Sequence, residues 1–154
     1  MHDFVDQNFI VEHDNGQFSI TNMGGLLFAK NISDFEMLKR KAIRIIKYKG
    51  NSKTNVTRER NYTSGYAIAF ANVVDYIMSQ IPQEEEIVGA LRKEFVMFPE
   101  KAIREAIANM MIHQDFSIRG TGPMIEIFDT KIEISNPGSM LIDINRIIDS
   151  APHL

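Results

Sequence analysis

Two short segments in the last third of the chain leave little freedom in how it folds. Met124-Ile-Glu-Ile-Phe128 and Lys131-Ile-Glu-Ile-Ser135 both alternate apolar and polar residues with period two, and only Asp129-Thr130 separates them. Successive side chains of a strand point to opposite faces, so the pattern predicts a β-hairpin with one apolar and one polar face. The apolar face needs a cover, and the sequence just upstream supplies one. Ala102-Ile-Arg-Glu-Ala-Ile-Ala-Asn-Met-Met-Ile-His113 has strong helix formers and no breaker. Pro99 suits the first helical position and Glu100 the positive end of the helix dipole. Ile103, Ile107, Met110 and Met111 can then cover the sheet. Between helix and hairpin, residues 114 to 123 contain Gly120 and Gly122 and read as a loop. Asn136-Pro137-Gly138 ends the second strand with turn chemistry.

The rest of the chain is less regular. Residues 1 to 17 read as a loose or strand-like lead-in. Thr21 is placed to cap a short helix over Met23-Gly-Gly-Leu-Leu-Phe-Ala-Lys30. Ala42-Ile-Arg-Ile-Ile-Lys-Tyr-Lys49 reads as a strand ended by Gly50, and residues 51 to 57 as a polar loop. Tyr66, Phe70, Val73 or Val74 and Ile77 fall at helical spacing over residues 66 to 81, and Pro82 ends that helix. Gln83 to Glu86 makes the best boundary, and Ile87 to Phe98 reads as a strand or extended crossover. Met140 to Ile148 reads as a short helix. The expected fold is therefore α+β in two parts, residues 1–83 and residues 84–154.

Composition removes several classes. The 154 residues contain no cysteine, which excludes disulfides, thiolate metal sites and cysteine nucleophiles. No apolar run is long enough for a transmembrane helix. The opening MHDFVDQNF lacks a basic region followed by an apolar stretch, so a cytoplasmic protein without a membrane partner is the expectation. The net charge is only −3, but nine of the seventeen basic residues crowd into residues 39 to 60. Lys39, Arg40, Lys41, Arg44, Lys47 and Lys49 are the candidates for contact with DNA phosphates. The competing reading is a solvated edge strand whose lysines block aggregation.

The chemistry-bearing pattern lies on the Pro99 helix. Glu105, Asn109 and His113 are spaced i, i+4, i+8, which puts them on one stripe. Asn109 is the single polar residue between Ala106 and Ile112, so it is expected on or near a buried face. There it needs a structural partner or a polar ligand, because an unpaired buried amide costs about 1–3 kcal/mol. An amide oxygen can help hold Mg²⁺, which takes hard oxygen ligands, and a carboxylate one turn away can orient and deprotonate a water. The plainer alternative is that Glu105 pairs with Arg104 or Lys101 and Asn109 caps a loop. Gly120-Thr-Gly122 is a weak phosphate-loop signal and reads first as a turn. His113-x-Asp115 has no spacing relation to the other histidines that would make a zinc site.

Helix with Glu-x-x-x-Asn, glycine-containing loop, and hairpin ending in Asn-Pro-Gly resembles the ATP-binding (GHKL, Bergerat-like) fold of the gyrase, heat-shock chaperone, histidine kinase and mismatch-repair superfamily. Pro99 to Phe116 and Ile127 to Gly138 are similar to the ATPase-like domain of bacterial transcriptional regulators labelled RecG-related, or ATP-dependent DNA helicase-related. Ile20 to Lys30 and Ala42 to Gly50 resemble the connecting region of the same family. The resemblance implies a small α/β connecting region followed by a partial GHKL-type sandwich. It implies Glu105 as general base and Asn109 as Mg²⁺-binding residue of a bound ATP, sets Asn136 where the superfamily usually has an aspartate that reads the adenine amino group, and puts Gly138 in the glycine turn beside the nucleotide. Two departures stand out: His113-Gln114-Asp115-Phe116 replaces the usual His-Arg-Asp-Tyr, and Ser139 replaces a second glycine. The second glycine box would lie beyond Leu154, so hydrolysis by this chain alone is not expected. An incomplete sandwich exposes apolar surface, which leads to the expectation of a homo-oligomer. Three functions follow: a nucleotide-binding module of a DNA-associated regulator, a non-catalytic dimerisation module, or nucleic-acid binding through residues 39–60. A helicase motor is excluded, because no Gly-x-x-x-x-Gly-Lys-Ser/Thr loop is present.

Overall fold

The computed structural model describes the backbone of residues 2–81, 83–88, 91–96 and 98–138. The expected helix over Met140 to Ile148 and the departure at Ser139 lie outside the described residues. The chain opens with α1 (His2–Asp6) and an antiparallel pair, β1 (Ile10–Glu12) and β2 (Phe18–Ile20). Helix α2 (Asn22–Phe28) follows, and its N-cap is Thr21 as the sequence predicts: the Gly24 N–H donates to the threonine Oγ1 at 3.0 Å. Phe4, Phe9 and Phe28 meet edge to face with centroids 5.2–5.9 Å apart, fastening the lead-in to α2. Two single 3-10 turns lead into β3 (Ile43–Tyr48), β4 (Val56–Tyr62) and the 15-residue helix α3 (Tyr66–Gln80). A two-stranded hairpin, β5 (Gln83–Val88) and β6 (Leu91–Val96), precedes α4 (Glu100–Ile112). The predicted hairpin closes the described chain as β7 (Met124–Ile127) and β8 (Ile132–Ser135).

The main sheet has the order β4-β3-β7-β8. Its outer pairs are antiparallel, and its central pair, β3 with β7, is parallel. Alternation sorts the side chains. Ile43, Ile45, Ile125 and Ile127 face the helices and pack with Val73, Val74 and Ile77 of α3 and Ile103, Ile107 and Met110 of α4. Each fully buried isoleucine of this layer contributes about 1.5–3 kcal/mol of transfer free energy. On the other face a smaller cluster forms from Ile46, Tyr48 and Phe128, whose two rings stack at 4.9 Å. These elements make an α+β fold.

Three expectations change. The strand over residues 42–49 is not an edge: β3 lies between β4 and β7, with Ile43, Ile45, Ile46 and Tyr48 buried. The polar loop ends early, because Val56 and Thr57 already belong to β4, the true edge strand. The boundary at residue 83 does not separate two cores. The main sheet takes two strands from each side of it, and α3 packs beside α4 in one apolar cluster.

Candidate nucleotide site and the basic strip

Helix α4 buries Ile103, Ile107, Met110 and Met111 and leaves Glu105, Asn109 and His113 exposed. The i, i+4 stripe is therefore real, but it lies on the solvent side. This corrects the expected burial of Asn109: no desolvation penalty acts on its amide, because Ile107, Met110 and Met111 are buried on the other side of the helix, while Ile112 is exposed like Asn109. Glu105 also departs from the plain alternative. Arg104 ion-pairs with Glu100 at 3.7 Å and lies 5.1 Å over the Phe70 ring. Among the described residues, Glu105 and Asn109 make no side-chain hydrogen bond or ion pair.

The turn after β8 is attached to the end of this helix. The Asn136 side-chain amide donates to the carbonyl of His113, the C-cap of α4. The Asp115 N–H donates to the Pro137 carbonyl at 2.8 Å. A carbonyl partner fixes the Asn136 amide with Nδ2 inward, and among the described residues Oδ1 has no hydrogen-bond donor. Gly138 follows, exposed, at φ +155°, a conformation that side-chain-bearing residues rarely adopt. Glu105, Asn109, Asn136 and Gly138 thus belong to one helix and the turn bound to its end.

His113 and Asp115 do separate jobs. The Asp115 carboxylate accepts from the Ser117 hydroxyl and from the Ser117 N–H at 2.9 Å, and those bonds hold it below the ordinary carboxylate range. It organises a turn. Among the described residues no three His, Asp or Glu side chains come together as metal ligands.

Sequence reasoning missed the group that anchors the loop after α4. Lys41 is 2% exposed and donates to the Ile118 carbonyl at 2.9 Å. Burial pushes its ammonium below the ordinary value, and the Asp115 charge opposes that shift. The Tyr66 hydroxyl donates to the Lys41 carbonyl at 2.7 Å, and buried Gln114 donates to Tyr66 Oη at 3.0 Å and to the Met111 carbonyl at 3.2 Å. A signal existed: Lys41 stands two residues before Ile43, in the same inward row as Ile43 and Ile45.

Lys41 also shows why the basic strip is not one surface. Lys47 turns inward and donates to the Gln80 carbonyl at 3.0 Å, at the negative end of α3. Arg44 pairs through Nε with Glu59 at 2.9 Å, and Lys39 pairs with Glu36. Arg40 and Lys49 are exposed. Of the six candidates for phosphate contact, Lys41 and Lys47 are used by the fold. Within β3, Arg44 and Lys47 stand on opposite faces of the sheet.

No model of a known family matches the chain, and no curated protein matches it. Among solved structures it is similar to the DIP2311 protein from Corynebacterium diphtheriae, with a TM-score of 0.64 and 20% identity. The match covers 84% of this chain and 25% of that one, so the chain spans about a quarter of its neighbour's length. At that identity the likeness is one of fold. Among the described residues no helix is long and apolar enough to cross a membrane.

Proposed function

We propose that the chain carries the Mg-ATP-binding half of a GHKL-like module belonging to a DNA-associated transcriptional regulator of the RecG-related kind. The observation that carries this reading is the attachment of the Asn136-Pro137-Gly138 turn to the end of α4, beside an exposed Glu105 and Asn109 with no partner among the described residues. Their oxygens are hard donors, which fits Mg²⁺ bridging phosphates. Bound there, the ion would supply charge neutralisation for the phosphate oxygens. Asn109 Oδ1 would hold it, and Glu105 would orient and deprotonate a water. Asn136 Oδ1, facing away from His113, would accept from the exocyclic amino group of adenine. The DNA association rests on the family resemblance, since the strip 39–60 is divided between two faces.

Calorimetric titration with Mg-ATP tests the reading. Binding by the chain and none by Asn109→Ala is the expected result. The variant should melt within about 0.5 kcal/mol of the parent, because the side chain is exposed. A parent that takes up no Mg-ATP ends the proposal.

One observation favours self-association as a second reading. Met23, Ile112 and Phe116 border an apolar cleft of about 360 Å³ between α2, α3 and α4, and Ile112 is 67% exposed. Sedimentation equilibrium should then show a dimer that Ile112→Asp weakens. A parent that stays monomeric at every concentration removes this reading.

A further inference from the structure

The face of the sheet away from the helices holds a second cleft, of about 430 Å³, at the end where β3 and β7 begin. Its floor is one cross-strand row: Asn61, Arg44, Met124 and Ser135 are successive register partners across all four strands. Its wall is Gly120-Thr121-Gly122, the weak motif of the sequence. Gly122 lies so close to the backbone of Arg40 that a Cβ there would stand 2.1 Å from the Arg40 carbonyl oxygen. The Arg44 N–H donates to the Pro123 carbonyl at 3.1 Å, so the two lead-ins are fixed side by side.

The lining is dominated by donors. Arg40 is exposed and has no ion-pair partner among the described residues. Arg44 uses Nε on Glu59, which leaves both Nη groups. Among the described residues the N–H groups of Gly120, Thr121 and Gly122 donate no hydrogen bond. The next row on this face carries Glu59, Glu126 and Glu133; Arg44 engages Glu59, and Lys53 bridges Glu126 and Glu133. The charged side chains that line the cleft itself are Arg40 and Arg44, which makes the lining cationic. Guanidinium forks and free backbone N–H groups match the oxygens of a phosphate.

We infer that this cleft binds the phosphate group of a small phosphorylated metabolite; Asn136 and Pro137 also line it, so it adjoins the turn given to adenine, while Arg44 lies on the sheet face away from α4. The cleft is large enough for the phosphate and part of the group that carries it.

Pyrophosphate, titrated into the ¹⁵N-labelled chain at low ionic strength, is the probe, with citrate as the carboxylate control. The inference expects saturable shifts of the backbone amides of residues 120–122. Arg40→Gln should weaken the affinity about tenfold, the loss of one charge-assisted contact, while the rest of the spectrum is kept. Asn109→Ala should leave the shifts unchanged. The inference is overturned if these amides do not move, if Arg40→Gln binds as well as the parent, or if citrate binds as tightly as pyrophosphate. It is also overturned if Asn109→Ala abolishes the shifts, since the anion then belongs to the α4 site.

Discussion

Tyr66 has its hydroxyl between the Lys41 carbonyl and the Gln114 amide, buried deeply enough that its pKa is pushed up to about 12. Tyr66→Phe removes both bonds, leaving the Lys41 carbonyl without this donor and Gln114 with only its bond to the Met111 carbonyl, so it should cost about 1–3 kcal/mol in urea unfolding. A loss near zero would mean that water replaces the hydroxyl. Glu133 makes a prediction in pH. Lys131 first, and then Lys53, hold its carboxyl below the ordinary value of 4.5. As pH falls, the unfolded chain takes up this proton before the folded one, so stability present at neutral pH is lost on acidification. Glu133→Gln should therefore lose less stability than the parent between about pH 6 and about pH 3, read from urea midpoints. The shared stripe of Glu105 and Asn109 was legible from spacing; the exposure of Asn109 was not, because its apolar neighbours suggested a buried face. The hold of Asn136 on His113 was not, because it joins residues far apart in sequence and leaves no local pattern.

At the level of elements, periodicity worked where one face is buried. The helix expected over 66–81 is Tyr66–Gln80, the Pro99 helix is Glu100–Ile112, and the hairpin strands fall where alternation puts them. It failed for β4, all of whose residues except Tyr62 are exposed: Thr-Arg-Glu-Arg-Asn has no apolar period to read. The strand exists because β3 offers it a ladder and because Arg44 and Glu59 pair across it. β3 itself was read as a strand but given the wrong place, since Lys47 and Lys49 suggest solvent. Capping was legible at α2, and there it can be tested. Thr21→Ala removes the bond to the Gly24 N–H and should cost about 1 kcal/mol, seen as a lower melting temperature. An unchanged melting temperature would show that α2 is held by packing alone.

The whole molecule is organised by the parallel contact of β3 with β7, which joins parts expected to be separate domains. If the sheet is one unit, thermal unfolding of the chain followed by far-ultraviolet circular dichroism and by tyrosine fluorescence should give coincident transitions. Two separated transitions would restore the boundary at 83. The same contact sets a waiting time when the protein is made. Tyr48 leaves the ribosome 76 residues ahead of Met124, the start of the strand that covers the free edge of β3. At about 5–20 residues per second, that edge and its isoleucines stay unpaired for roughly 4–15 s. Every nascent copy passes through that interval with an open, apolar strand, the feature of an unfinished sheet most exposed to mispairing.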